Sequence, residues 1–384
     1  MRIAKRIENL PPYVFATVEK RIAAERARGV DVISLGIGSP DLAPPKEIVD
    51  AMYRSAQRPD THGYAGYYGT PALRQATADY YGRRFGVELD PGSEILPLIG
   101  SKEGLANVAL AFIDPGSIAL ATDPGYPTYR MGALLAGGDS FPMPLYRENG
   151  WLPDFEAIPG DVLSRATLMW LNYPNNPTGA GAPLEFLKQA VDFAAAHDLL
   201  ICYDNPYCDV TFDGYVAPSI LQVPGAKDVA IEFNSHSKTY NMAGWRVGVA
   251  VGNAVAIDAL TTVKTNIDSG IFRPIQDAAT VAYNGDQSWL AERNAIYQRR
   301  RDVILDWLPE IGMWADKPKG GLYVWAHVPE GTQCEAFALE MLEKAGVWMT
   351  PGTAFGQYGE GYMRLSVCIS EDRLLEAGER LSRV

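Results

Sequence analysis

A lysine with unusual neighbours lies between two short apolar runs near the middle of the chain. Ser235-His236-Ser237-Lys238 follows the first run, and Arg246 comes eight residues after the lysine. An ammonium group at the end of a buried strand is costly, and forming an imine with a carbonyl compound removes its charge. A neutral lysine amine also serves as a nucleophile and a general base. Arg246 and the two serine hydroxyls suit a phosphate dianion, which a guanidinium binds through two hydrogen bonds.

Polar residues also follow two other predicted strands. The segment from Asn172 to Gly179 reads Asn-Tyr-Pro-Asn-Asn-Pro-Thr-Gly, and Asp204 comes directly after an apolar run, with Tyr207 three residues later. A connecting turn and a helix cap are the simplest explanations of such residues. Ligands of open α/β sheets, however, bind beyond the carboxyl ends of the strands, which is where these residues are predicted.

Two glycine-containing segments have weaker signals. Gly100-Ser101-Lys102-Glu103-Gly104 opens a helical stretch, and the N–H groups at a helix N-terminus bind phosphate readily. Many strand-to-helix turns contain Gly-Ser, so this pattern is not specific. Gly36-Ile37-Gly38 is not a dinucleotide fingerprint, because it lacks the third glycine and runs into Pro40.

The elements that must position these residues alternate along the chain. From about residue 90 to 250, short apolar runs and helical patterns follow one another, which predicts βαβ units and a mainly parallel sheet. We expect strands at Thr167–Leu171, Leu199–Tyr203, Val229–Phe233 and Val247–Val251, and a helix at Leu184–His197.

The two ends of the chain have a different pattern. An N-terminal helix is expected at Tyr13–Arg28, with Phe15, Val18 and Ile22 at helical spacing and Gly29 placed to end it. We therefore expect a large α/β domain at residues 41–280 and a smaller α+β domain made of residues 1–40 and 281–384. The C-terminal elements are predicted as a helix at Trp289–Leu308, strands at Gly321–Ala326 and Tyr362–Val367, and a helix at Asp372–Leu381.

Length and composition agree with two folded domains. The chain has 384 residues, of which 47% are hydrophobic and 21% charged, typical of globular proteins. Its longest apolar stretch, Leu105 to Ile113 interrupted by Asn107, is far shorter than the roughly 20 residues of a membrane span, so no membrane partner is expected. The basic residues near the N-terminus are followed by Glu8 and Pro11 rather than an apolar core, so we expect an unprocessed cytoplasmic protein.

Charge and residue spacing exclude several other classes. A net charge of −12 disfavours binding to nucleic acid, which depends on a basic face. The four cysteines and four histidines lack CxxC or HExxH spacing, which predicts neither a metal site nor a disulfide framework.

The lysine segment resembles the cofactor-lysine signature of the class I and II aminotransferases, with Ser235, Ser237, Lys238, Gly244 and Arg246 in place. The resemblance implies the fold type I architecture of pyridoxal 5′-phosphate (PLP) enzymes. It also implies that Lys238 carries PLP as a Schiff base, while the two serines and Arg246 hold the phosphate.

The same resemblance assigns roles around the cofactor ring. It implies that Asn176 contacts the ring hydroxyl and lies near the substrate, and that Tyr207 hydrogen-bonds the ring oxygen. Asp204 would keep the pyridine nitrogen protonated, so that the ring accepts electrons. Ser101 and Lys102 would bind the phosphate, mainly through their backbone amides.

Four further residues are assigned in this way. Tyr126 would stack on the cofactor ring, although a core tyrosine is the alternative. Arg364 would bind the α-carboxylate of the substrate in a bidentate fork, unless it is a strand residue facing solvent. Gly38 would bring its backbone close to the same carboxylate. Tyr64 would reach the phosphate of a neighbouring subunit, which implies a homodimer with shared active sites.

The family resemblance implies transfer of an amino group between an L-amino acid and a 2-oxo acid by a ping-pong mechanism. Lys238, Asp204 and Tyr207 would be the catalytic residues. Within the family, the sequence looks most similar to LL-diaminopimelate and aspartate aminotransferase-like proteins. Arg273 is unexpected there, and either binds a distal carboxylate or forms an ordinary ion pair.

Two other functions use the same fold. A PLP-dependent lyase that catalyses β-elimination is one alternative, because fold does not determine reaction. Such an enzyme would release pyruvate and ammonia. A non-catalytic sensor would have a DNA-binding extension or a damaged lysine site, and neither is visible.

Overall fold

A computed structural model describes residues 1–8, 10–11 and 14–384, with side chains within the first long helix described from residue 18 onward. Tyr13 and the side chain of Phe15, both assigned to the N-terminal helix from the sequence, lie outside the described residues. The helices, numbered along the chain, are α1 (Lys5–Glu8), α2 (Val14–Ala27), α3 (Lys46–Ala56), α4 (Pro71–Phe85), α5 (Ser101–Phe112), α6 (Thr128–Ala136), α7 (Gly160–Leu163), α8 (Leu184–Ala196), α9 (Ala226–Val229), α10 (His236–Thr239), α11 (Ala254–Thr265), α12 (Arg273–Asn284), α13 (Trp289–Trp307), α14 (Cys334–Ala345) and α15 (Glu371–Leu381).

The strands form three sheets in the described part of the chain. The predicted helices and strands agree with the observed ones to within two residues at each described end. The strands are β1 (Ile33–Ser34), β2 (Ile95–Leu98), β3 (Ile118–Asp123), β4 (Asp139–Pro144), β5 (Ala166–Leu171), β6 (Leu200–Asp204), β7 (Ala230–Ser235), β8 (Gly248–Gly252), β9 (Trp314–Ala315), β10 (Tyr323–His327), β11 (Val347–Trp348), β12 (Thr350–Pro351) and β13 (Tyr362–Ser366).

The central sheet has the order β2-β8-β7-β6-β5-β3-β4. The ladders that join β4, β3, β5, β6 and β7 are parallel, whereas β8 is antiparallel to both of its neighbours. The sheet is therefore mixed but mainly parallel, as the sequence predicts. Its parallel strands place their carboxyl ends at one edge, where the polar segments follow.

Both faces of this sheet are buried. Along β5, Met169 and Leu171 pack into the core on one face, while Leu168 and Trp170 pack into the core on the other. A strand buried on both sides has a nearly continuous apolar sequence, which explains why β5 shows no alternation of polar and apolar residues.

A second core lies beneath the smaller four-stranded sheet, which has the order β12-β13-β10-β9. Val18 and Ile22 of α2 pack there with Val324 of β10, Leu365 of β13 and Leu374 of α15. The N-terminal helix thus packs with C-terminal elements. The proposed domain boundaries at residues 40/41 and 280/281 stay a prediction.

Local sequence signals explain where several helices begin and end. Thr70 accepts a hydrogen bond from the backbone N–H of Leu73 at the start of α4, and Pro71 occupies the first turn, where its missing N–H is not needed. Among the helices at described positions, none is long and apolar enough to cross a membrane.

Candidate active site

The carboxyl ends of β6 and β7 bring the predicted catalytic residues together. Asp204 is the last residue of β6, and Lys238 lies in the short helix α10 that directly follows β7. Both line a cavity of about 350 Å³ between the central sheet and the four-stranded sheet. The other predicted site residues that line the cavity are Gly38, Ser101, Lys102, Tyr126, Asn176, Tyr207, Ser235, Ser237, Arg246 and Arg364.

The side chain of Lys238 crosses from the central sheet to the segment that follows β1. Its Nζ donates a hydrogen bond of 2.6 Å to the carbonyl oxygen of Gly38. Gly38 also packs against Tyr323, because a Cβ atom at position 38 would lie 2.0 Å from the tyrosine hydroxyl. The approach of the Gly38 backbone to the substrate carboxylate, which the family resemblance implies, stays a prediction.

Asp204 has one satisfied and one unsatisfied carboxylate oxygen. Tyr129 donates a hydrogen bond of 2.7 Å to Oδ2, and Oδ1 is buried without a hydrogen-bond partner among the described residues. Burial raises the pKa of Asp204 to about 7, against the lowering effects of the Tyr129 hydrogen bond and of Lys238. An unpaired buried acceptor of this kind is costly, so the geometry calls for a cationic donor beside Oδ1.

Small residues and cations surround the cavity at the start of α5. Gly100 precedes the helix with a φ of +73°, and a Cβ atom there would lie 2.3 Å from Nη2 of Arg246. Gly100 is the N-terminal cap of α5, and this cap provides no side-chain acceptor for the first N–H groups of the helix. Helix N–H groups, the hydroxyls of Ser235 and Ser237 and the Arg246 guanidinium together suit a phosphate dianion.

Arg364, in β13, is buried rather than facing solvent, so the alternative of a surface strand residue is wrong. Its Nη1 donates to Oδ1 of Asn176 at 2.9 Å, and its Nη2 donates to the carbonyl oxygen of Gly36 at 2.6 Å. The guanidinium also lies 3.9 Å from the ring centre of Tyr323 and 4.5 Å from that of Phe355. These contacts orient a planar cation at the cavity wall, where it can bind a carboxylate.

Two of the tyrosines predicted from the sequence line the same cavity. Tyr207 is buried, and its hydroxyl lies 3.5 Å from the hydroxyl of Tyr323. Tyr126 is partly buried, and its ring meets the ring of Tyr129 edge-on at 5.9 Å between centroids. A partly exposed aromatic ring in the cavity wall can stack on a planar ligand.

Tyr64 is the one predicted site residue that is not among the residues lining the cavity, within the described part of the chain. Its side chain is 93% exposed. The role of Tyr64 in a neighbouring subunit therefore stays a prediction. Arg273, the unexpected arginine, forms an ion pair with Asp277 on its own helix, with Nε 2.7 Å from Oδ1.

The family model for "Aminotransferase class I and II" matches residues 30–381, nearly the whole chain. The chain belongs to the class I and II aminotransferases. The architecture predicted from the resemblance, fold type I, is confirmed by this match and by similar solved structures.

Relatives of high identity agree with this family. The LL-diaminopimelate aminotransferase of Moorella thermoacetica is 54% identical over 384 residues, covering 100% of this chain and 98% of the relative. The LL-diaminopimelate aminotransferase of Gloeobacter violaceus is 48% identical, covering 99% and 98%. The enzyme is therefore an aminotransferase, and these relatives give no support to the lyase alternative.

Solved structures show the same fold. Substrate-bound BacF from Bacillus subtilis matches with a TM-score of 0.96 at 38% identity, covering 100% of this chain and 98% of that one. An aspartate aminotransferase mutant from Thermus thermophilus matches with a TM-score of 0.92 at 30% identity over 100% of both chains.

Some residues of this aminotransferase site carried no clear signal in the sequence. Tyr129 lies three residues after Tyr126, and only packing shows which of the two contacts Asp204. Asn172 belongs to the Asn-Pro loop, where its amide donates to the Asp204 carbonyl oxygen at 2.6 Å. Tyr323 and Glu19 line the cavity from distant parts of the chain, and no local motif marks either of them.

Proposed function

We propose that this aminotransferase binds PLP through Lys238 and uses LL-diaminopimelate as amino donor, with a 2-oxo acid as acceptor. The observation that carries the proposal is the buried Oδ1 of Asp204, which has no hydrogen-bond partner among the described residues although Lys238 lines the same cavity. When bound, PLP supplies a protonated ring that withdraws electrons from the substrate's α-carbon.

The residues around the cavity fit that cofactor. A protonated pyridine nitrogen is the cationic donor that Oδ1 of Asp204 lacks, and the pair would hold the carboxylate in its ionised form. Ser101, Lys102, Ser235, Ser237 and Arg246 would hold the phosphate. Asn176 and Tyr207 would bind the ring oxygen, and Tyr126 would stack on the ring.

Lys238 would be the base that moves a proton from the substrate's α-carbon. Its amine lies next to a carbonyl oxygen, which accepts its hydrogen bond but carries no full charge. From this position the amine can move a proton within the same cavity.

Arg364 would bind the α-carboxylate of the substrate. The Tyr323 and Phe355 rings and two hydrogen bonds orient its guanidinium, so little conformational entropy is lost on binding. The same arginine serves both halves of a ping-pong reaction, because an L-amino acid and a 2-oxo acid have the same carboxylate.

LL-diaminopimelate is proposed as donor because relatives at 54% and 48% identity over nearly the whole chain are named for it. Arg273 forms an ion pair with Asp277, which favours the ordinary ion pair over binding of a distal carboxylate. We further propose a cytoplasmic homodimer, in which Tyr64 of each subunit completes the site of the other.

The test is the visible absorption spectrum of the purified protein and of its Lys238→Ala variant. We expect a cofactor band in the unaltered protein that LL-diaminopimelate changes, and that a 2-oxo acid then restores. The variant should lack both the band as isolated and the response. Absence of a cofactor band even after PLP is added would disprove the cofactor assignment. A response to glutamate or aspartate but not to LL-diaminopimelate would disprove the donor.

A further inference from the structure

Arg293, in the long helix α13, is a buried cation with neutral partners. Its side chain is only 3% exposed, and burial lowers the pKa of its guanidinium. The hydrogen-bond acceptors of the guanidinium are three backbone carbonyl oxygens and the side-chain oxygen of Asn294. A buried guanidinium is costly to desolvate, and the charge of Asp209 offsets this cost without a direct ion pair, so the hydrogen bonds to carbonyl groups need a further reason.

The three carbonyl groups belong to two different segments. Nη1 donates to the carbonyl oxygen of Lys238 at 2.8 Å and also to that of Thr239. Nη2 donates to the carbonyl oxygen of Asp209 at 2.6 Å. The first segment follows β7 and carries the proposed cofactor lysine. The second follows β6, whose last residue is Asp204.

Neighbouring groups strengthen the link between these segments. Asn294 donates to the same Asp209 carbonyl oxygen at 3.0 Å, and its own oxygen accepts from Nη2 of Arg293 at 2.8 Å. The hydroxyl of Thr239 lies 3.4 Å from Oδ2 of Asp209 and joins the two segments directly. One planar cation with donors on two nitrogens therefore spans the gap between them.

We propose that Arg293 is a positioning residue, which holds the segment carrying Lys238 at a fixed distance from the segment carrying Asp204 and Tyr207. The proposal rests on the function proposed above, because it assigns chemistry to those residues. This positioning role needs two separate nitrogen donors, since each Nη of Arg293 contacts a different segment. The single Nζ of a lysine cannot contact both segments in the same way.

The experiment compares Arg293→Lys and Arg293→Met with Arg301→Met. Arg301 is an equally buried arginine of α13, but it pairs with Asp213 and Asp302 and bonds to the carbonyl oxygen of Pro318, outside both segments. The measurements on the purified proteins are steady-state kinetics, mass spectrometry of Lys238 after borohydride reduction, and hydrogen exchange of residues 204–210 and 236–241.

We expect Arg293→Lys to lower kcat on the order of 100-fold, because small misplacements of reacting groups have effects of that size. KM for the donor should change by less than about threefold, since Arg364 is untouched. Borohydride trapping of Lys238 should be slower, and both segments should exchange faster. Arg301→Met should lower the melting temperature without these effects.

Two results would overturn the inference. If Arg293→Lys keeps the unaltered kcat, trapping rate and exchange rates, Arg293 has only a general structural role. If the unaltered protein itself shows neither trapping nor transamination, the proposed function fails and the inference fails with it. Should Arg293→Met not fold, Arg293→Lys still decides between these outcomes.

Discussion

Tyr129 donates its hydroxyl proton to Oδ2 of Asp204 at 2.7 Å, and its ring stacks on Trp170 with 4.7 Å between centroids. Packing on the central sheet therefore holds Tyr129 in place, and Tyr129 in turn holds Oδ2 of Asp204. The other carboxylate oxygen, Oδ1, is buried without a hydrogen-bond partner among the described residues. Asp204 is oriented before any ligand binds.

The first prediction concerns the stability of the cofactor-free protein. The folded pKa of Asp204 is about 7, above the ordinary value of 3.8, so the folded state binds the proton more tightly than the unfolded state. Stability from this group is present at low pH and is lost as the pH rises from about 4 to about 7. We expect Asp204→Asn to raise the melting temperature at pH 8 but not at pH 4.

A matched carboxylate provides the control for this measurement. The guanidinium of Arg301 lowers the pKa of Asp213, so Asp213→Asn should destabilise the protein at neutral pH. If Asp204→Asn also destabilises at pH 8, burial does not dominate the environment of Asp204. In the complete enzyme, Asp204→Asn should also lower kcat on the order of 100-fold, as expected when a preorganised charge is removed.

The second prediction concerns Arg364. Arg364→Lys keeps the charge but loses the planar fork, so kcat/KM for every amino donor should fall about 10- to 100-fold. Steady-state kinetics with LL-diaminopimelate and with glutamate would measure this. Arg273→Gln is the control, because Arg273 is paired with Asp277. This variant should change kcat/KM little for either donor. A selective loss of LL-diaminopimelate activity in Arg273→Gln would instead assign Arg273 to the distal carboxylate.

The third prediction concerns acid stability and His236. Burial lowers the pKa of this imidazole from 6.5 to about 3, and its ring lies against Tyr283 at 4.3 Å between centroids. The unfolded state therefore binds a proton first, and stability present above pH 6.5 is lost as the pH falls toward 3. His236→Phe keeps an aromatic ring in an aromatic site and should reduce this loss.

The measurement is the melting temperature between pH 7 and pH 4 for both proteins. The ring nitrogens of His236 have no hydrogen bond of ordinary geometry among the described residues, and only the backbone of Ala279 is close enough to oppose the lowering of the pKa, so phenylalanine should lose little here. An unchanged acid dependence in His236→Phe would contradict the assignment.

The fourth prediction concerns a buried lysine of α11. Lys264 is 1% exposed at its side chain and pairs with Glu103 at 3.2 Å and Asp268 at 2.7 Å. Lys264→Met leaves Glu103 and Asp268 without this cationic partner and should lower the free energy of unfolding by about 3–5 kcal/mol. Adding Glu103→Gln should restore part of the loss in chemical denaturation. If the double variant is less stable than Lys264→Met, repulsion between the carboxylates of Glu103 and Asp268 is not the cause of the lost stability.

The fifth prediction concerns the shared site. If Tyr64 acts in the partner subunit, Tyr64→Ala and Lys238→Ala chains combined in one dimer form one site with both native residues. Activity of the mixed dimer should therefore exceed that of either variant alone. Arg364→Lys mixed with Lys238→Ala is the control, because both residues line the cavity of one chain and no complete site can form. Absence of recovery in the first mixture would contradict the shared site.

The sequence predicts best those site residues that are close together in the chain. Ser235, Ser237 and Lys238 follow one buried strand, so a local pattern contains both the element and its chemistry. Which tyrosine contacts Asp204 could not be predicted, because Tyr126 and Tyr129 are only three residues apart around the start of α6, and only packing on Trp170 distinguishes them. The reversed direction of β8 was equally hidden, because antiparallel and parallel buried strands have similar apolar patterns.

The glycines near β1 make contacts that the sequence does not reveal. The sequence indicated that the backbone of Gly38 approaches the substrate carboxylate. In the structure, Gly36 accepts a hydrogen bond from Arg364 and Gly38 accepts one from Lys238. Local patterns cannot predict these hydrogen bonds, since the partners lie 200 or more residues apart in the chain, and the approach of Gly38 to the substrate carboxylate stays a prediction.

The close approach of Gly38 to Tyr323 has a consequence for changing this enzyme by directed evolution. Any side chain at position 38 would collide with the tyrosine ring, and the same ring lies over the guanidinium of Arg364. Libraries that vary position 38 alone should return almost only glycine. Positions 38 and 323 must be randomised together, because new combinations become accessible only when both residues change at once.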